Sequence, residues 1–200
     1  MSKTEPGSPT QRTAAGPIRF YQILLCRGVL GVIFGVATIF WPRDDSNPLD
    51  LEMPMGIVDG VIGCYLLATV VLLGWQSRHP GVAPRLRVFA IIQAVVALLA
   101  AIGLLTFTGD QQTLQLVVGA WALLNGLLEM FSWLEVRGRY RGAQDFVVTA
   151  GLFLVLAAVL FFVPRIGALS VLGLTGAVAL MSGVLFVLGG LTARRLVRTG

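Results

Sequence analysis

Residues 113–134, TLQLVVGAWALLNGLLEMFSWL, decide the fold. At ~1.5 Å per residue this stretch, wound as an α-helix, is long enough to cross the ~30 Å hydrocarbon core of a bilayer. Its single ionisable residue is Glu129. Leu, Val, Ala and Trp occupy all sides, which a helix tolerates only inside a large core or in lipid. A chain of 200 residues with 12% charged residues has about half the charge of an ordinary soluble domain, too little polar surface to wrap such a core in water. Lipid is the solvent that fits.

Five more stretches read the same way: Ile18 to Trp41, Met53 to Trp75, Val88 to Phe107, Phe146 to Val163 and Gly167 to Leu191. Pro42 and Pro164 stop the first and fifth, and Pro54 suits the first turn of the second. The expected fold is all-α, an integral membrane bundle of six transmembrane helices over residues 18–193. Residues 1–17, rich in Ser, Thr, Pro and Gly, form an expected disordered tail, and residues 194–200 a basic one. The spans also pair into three repeated helical hairpins. Each odd helix ends at a turn (Trp41-Pro42, Phe107-Thr108, Val163-Pro164), and each even helix carries a polar residue before Gly: Asp59-Gly60, Asn125-Gly126, Ser182-Gly183.

Charge sets the orientation. Lys3, Arg12 and Arg19, Arg78, Arg85 and Arg87, Arg137, Arg139 and Arg141, and Arg194, Arg195 and Arg198 all fall on one side. The other side has Arg43 among Asp44, Asp45, Asp50 and Glu52, then Asp110 and Arg165. Basic residues remain cytoplasmic, so both termini are expected inside the cell, in a plasma or inner membrane. The net charge of +5 therefore belongs to loops and not to a nucleic-acid face.

Three ionisable residues lie within spans. Arg27 and Glu129 fall at similar depths from the cytoplasmic side, and a charge in lipid seeks a partner. A buried ion pair between the first and fourth helices is the reading adopted, with Gln93 completing the hydrogen bonding and Asn125 on the Glu129 face. The alternative has Arg27 snorkelling to the headgroups while Glu129 stays protonated. Asp59 lies nearer the outer face, within reach of water. As a structural group it is a carboxylate favoured by the helix dipole; as a functional one it titrates with the exterior. Small residues mark close helix approach in lipid: Gly31 and Gly35 beside Arg27 on the first helix, Gly56, Gly60 and Gly63 on the second, Gly176 and Gly183 on the sixth. Packing within one bundle is the expected use, and a homo-oligomer interface the other.

Catalytic and cofactor motifs are absent: no G-x-S-x-G, no H-E-x-x-H, no phosphate-cradling glycine loop, and one histidine, His79, in a loop. Cys26 and Cys64 read as small buried residues, with no disulfide or metal site expected. A non-enzymatic membrane protein, or an accessory subunit of a larger complex, is the first expectation. A proton or small-solute pathway through Asp59, Asn125, Glu129 and Arg27 is the alternative.

The order of motifs resembles the HdeD-like family of small bacterial membrane proteins. Arg27-Gly28-Val29-Leu30-Gly31 runs on to Phe34-Gly35 and Trp41-Pro42, and Gly119-Ala120-Trp121-Ala122-Leu123-Leu124-Asn125-Gly126-Leu127-Leu128-Glu129 precedes an Arg-rich loop. The resemblance covers about residues 20–195. It implies a six-span fold and an envelope or acid-stress role, with no catalytic residue to carry over. The acidic first outer loop and the polar N-terminal tail are departures from the family pattern.

Overall fold

The computed structural model describes residues 16–40, 54–79, 82–107, 109–137, 143–164 and 166–199. Six helices account for nearly all of them: α1 (Gly16–Ile39), α2 (Met55–Arg78), α3 (Pro84–Thr106), α4 (Gln111–Val136), α5 (Ala143–Phe162) and α6 (Ala168–Thr199). Each contains a window long and apolar enough to cross a membrane. Among the described residues there is no strand. The expected N-terminal tail lies outside the described residues up to position 15. At the other end, α6 continues as helix to Thr199, through the segment expected as a basic tail.

Helix ends follow local chemistry. Pro84 opens α3, where its missing N–H costs nothing. Asp110 caps α4, its carboxylate accepting from the N–H groups of Thr113 at 3.0 Å and Gln112 at 3.4 Å. The turn before it is made by Gly109 at φ 101°, a backbone shape that glycine adopts without strain. The Thr113 hydroxyl also donates to Asp110, at 2.6 Å, and these bonds hold that exposed carboxyl below its ordinary range.

The distribution of side chains is that of a lipid-solvated protein. Val71 is 70% exposed and Leu99 and Val155 63% each, while Glu129 and Thr149 are fully buried. Polar groups face inward because lipid offers them no hydrogen bonds.

The six helices close into a ring in chain order. Packing is most extensive between α6 and α1, α2 and α3, and α4 and α5. The helices within each sequence hairpin touch less, and α1 against α2 least. α6 also meets α2 and α4 across the middle. Each hairpin is therefore held chiefly by its neighbour, the second helix of one against the first helix of the next.

Glycines make the α1–α6 seam. A Cβ on Gly31 would sit 2.6 Å from the Ala179 carbonyl oxygen, and one on Gly35 2.6 Å from that of Gly176. A Cβ on Gly183 would sit 2.7 Å from the carbonyl oxygen of Gly28. The α4–α5 seam repeats the arrangement: a Cβ on Gly126 would lie 3.2 Å from the Ala150 carbonyl oxygen.

Gly56 and Gly60 correct the sequence reading. A Cβ on either would meet nothing within 4 Å, so neither packs a helix inside the bundle. They line an open apolar groove of about 500 Å³ between α1 and α2, together with Leu30, Ile33 and Cys64. Gly63, one turn on, does face a helix: a Cβ there would lie 3.3 Å from the Leu105 side chain of α3. The cysteines differ as well: Cys26 and Cys64 are free and exposed on the lipid-facing surface, not buried. A thiol is apolar enough for lipid to solvate it as readily as a core.

Candidate functional site

The polar residues of α1, α3 and α4 converge in the interior. Ala122, Asn125, Glu129 and Ser132 recur along one face of α4 and all are buried. Glu129 meets Arg27 of α1, whose Nη2 donates to Oε1. Gln93 of α3 donates its Nε2 hydrogen to the same oxygen at 3.1 Å. The Arg27 guanidinium also lies over the Phe186 ring, 4.9 Å from its centroid, and that ring packs edge-on to Phe146. Arg27 retains 13% side-chain exposure and Glu129 none. The charges are placed where attraction and ring contact offset their loss of water.

A small cavity adjoins this cluster. It has a volume of about 20 Å³ and is bounded by Arg27, Tyr65, Thr69, Asn125 and Ser182, with Trp75 and Gln76 towards the end of the bundle where α2 finishes. That volume holds roughly one water molecule. Aromatic rings form a further wall: Tyr65 stacks on Phe34 with centroids 4.0 Å apart, and Trp121 meets Phe153 edge-on at 5.4 Å.

Apolar layers enclose the cluster on both sides. Towards the α3–α4 turn, Ile62, Leu66, Leu104, Val118, Leu160 and Leu172 are at most 1% exposed and belong to one continuous core. On the opposite side, Ile23, Leu24, Leu86, Val136 and Phe146 form a second core. Asp59 lies beyond the first layer. It is 3% exposed, less than a position near the outer face suggested, and the backbone N–H of Gly109 is directed at it. The structure thus brings Arg27, Gln93, Glu129 and Asn125 together and leaves Asp59 apart, with Ile62 and Leu66 between it and Thr69 on the same helix.

Two interhelical contacts escaped the sequence reading. Gln115 of α4 donates to the carbonyl oxygens of Leu160 at 2.5 Å and Val163 at 2.7 Å, and Gln111 donates to that of Ile166 at 2.5 Å. The Gln115 amide satisfies carbonyls that the end of α5 leaves without helical partners, and the Gln111 amide ties α4 to the α5–α6 connection. The signal was a pair of glutamines four residues apart at the mouth of a span, on one helical face.

The hairpin repeat carries more than its turns. Fifteen residues before Pro42, Thr108 and Pro164 stand Arg27, Gln93 and Thr149. Two of these three serve Glu129, so the repeat register picks out the donor positions. Among the described residues, no group of three His, Cys, Asp or Glu side chains stands ready to hold a metal ion. Compared with protein-family models, curated proteins and solved structures, the chain matches none.

Proposed function

We propose that this chain is a non-enzymatic six-span protein of the bacterial inner membrane, with both termini in the cytoplasm, acting through contacts within the bilayer and not as a conduit. The observation that carries this reading is the layer formed by Ile62, Leu104, Val118, Leu160 and Leu172. It separates the Arg27–Glu129 pair from Asp59, and a proton or solute pathway needs polar groups across that interval. The cytoplasmic placement rests on the arginines at the end of the bundle shared by the termini. An envelope or acid-stress setting, or service as an accessory subunit, rests on the resemblance in motif order alone.

The small cavity beside Arg27 favours a second reading, a proton or small-solute pathway entered from that end. Flux into liposomes separates the two. Vesicles carrying the native chain should pass protons and small solutes no faster than empty vesicles. A flux above that baseline, lost in Glu129→Gln, would establish the pathway reading. On the first reading, isolation in mild detergent should bring down a second membrane protein in fixed proportion.

A further inference from the structure

Most polar side chains on these helices are answered from within the bundle. The hydroxyls of Thr38, Thr69, Ser132, Thr175 and Ser182 donate to carbonyls of their own helices. Among the described residues, Glu129 Oε2 and Thr149 Oγ1 are left without a partner, and both are sealed from solvent. Asn125 differs. Its side chain is 4% exposed and, among the described residues, its amide has no hydrogen-bond partner, yet it borders the cavity beside Arg27. A buried amide that opens on free space in place of a partner is a group poised for a ligand.

The cavity walls favour an acceptor. Arg27 presents a fork of N–H donors, and among the described residues its hydrogen bonding goes to Glu129 alone, which does not line the cavity. Trp121 also borders the space, and its indole N–H makes no hydrogen bond among the described residues. The Thr69 and Ser182 walls have already given their hydrogens to Tyr65 and Val178. The guanidinium repels a cation and attracts an anion. Size narrows the choice further. A volume of about 20 Å³ admits one sphere near the size of a water, too little for phosphate, sulfate or a carboxylate. The approach carries the same sign of charge. Trp75 and Gln76 extend the lining towards the end of the bundle where Arg78, Arg85 and Arg137 are exposed, and clustered positive charge concentrates anions.

We infer that Arg27, Asn125 and Trp121 hold a single monatomic anion, chloride or bromide, in this cavity. The guanidinium supplies charge, and the amide and indole N–H groups supply directed donors. Arg27 is then shared between the anion and Glu129, which keeps the affinity modest. The packed core of Ile62, Leu66, Leu104 and Val118 lies beyond, so the anion is bound and not passed on.

The test uses the full chain in nanodiscs, melted at fixed ionic strength in sodium chloride, bromide, nitrate or gluconate. At about ten times its dissociation constant, a ligand that binds only the folded chain shifts the folding equilibrium about elevenfold, or about 3–6 °C for a chain of this size. Chloride and bromide should raise the melting temperature by that order over gluconate, and nitrate, too large for the cavity, should not. Asn125→Leu and Asn125→Ala, which remove the amide, should abolish the difference between chloride and gluconate. Broadening of the chloride NMR resonance by the native chain, relieved by bromide and not by nitrate, reports binding without unfolding. Equal melting in chloride and gluconate overturns the inference, as does an unbroadened resonance. A nitrate effect equal to that of chloride belongs to the surface arginines and overturns it too, as does a chloride effect that survives in the Asn125 variants. Should neither variant fold, the native resonance decides: relief by bromide alone supports the site, and relief by nitrate overturns it.

Discussion

Deleting Arg27 tests the interior more severely than any other single change. Glu129 has no exposure, and its Oε1 receives hydrogen bonds from Arg27 and Gln93. In Arg27→Ala the carboxylate stays buried with one neutral donor. Breaking a buried pair from one side costs about 3–5 kcal/mol, a shift of roughly a hundredfold to a few thousandfold in the folding equilibrium. Glu129→Ala strands the guanidinium in the same way, although its 13% exposure and the Phe186 ring should place that loss at the lower end. Arg27→Met with Glu129→Leu removes both charges at similar volume. The remaining cost is then that of Gln93, left without its acceptor, about 1–3 kcal/mol. Unfolding in mixed micelles, followed by the fluorescence of the four tryptophans, among them the buried Trp121, measures these variants. The reasoning fails if each single variant loses less than about 1 kcal/mol, the range of an exposed pair. It fails equally if Arg27→Ala combined with Glu129→Ala loses the sum of the two single losses, since groups that bear on each other do not add.

Three further outcomes follow from the geometry. Gly183→Ala should destabilise by about 1–3 kcal/mol through overpacking against the Gly28 carbonyl, whereas Gly60→Ala should gain about 0.5–1 kcal/mol from helix propensity, as thermal melts would show. Gln115→Leu, which leaves the Leu160 and Val163 carbonyls without their donor, should speed amide hydrogen exchange at the end of α5 while leaving α1 and α6 unchanged. Asp110 supplies a pH dependence: its carboxyl lies below the ordinary value of 3.8, so between the two values the unfolded chain binds more protons than the folded one. Its contribution is therefore complete above that ordinary value and drains away as pH falls through the lower folded value. Melting temperatures measured across that acidic range should fall less steeply in Asp110→Asn than in the native chain.

Hydropathy made the six spans legible because lipid solvation acts on whole stretches and not on single contacts. Depth made Arg27, Gln93 and Glu129 legible as a group, since three polar residues at one level of a bundle have few other partners. The order of helices around the ring was not written in the loops, which record side and not neighbour. A stripe of small residues reads alike whether it faces a helix or open lipid, and Gly56 and Gly60 were misassigned for that reason. Cys26 and Cys64 were misplaced for a related one, since apolar character in a membrane protein does not distinguish inside from outside. Thr149 passed unnoticed because a threonine in an apolar helix usually bonds its own backbone.

The seam between α1 and α6 has a bearing on how the polypeptide is made. α1 leaves the ribosome well before its closest mate, α6, from which α2 to α5 separate it along the chain. Until α6 follows, the Gly31 edge of α1 lies against lipid, and Arg27 waits for an acid encoded 102 residues downstream. Assembly should therefore finish late and all at once, with truncated nascent chains held in the translocon or degraded. The junction that delays completion also sets α1 and α6 side by side, so a permuted order in which α1 follows α6 directly would let the two emerge in succession.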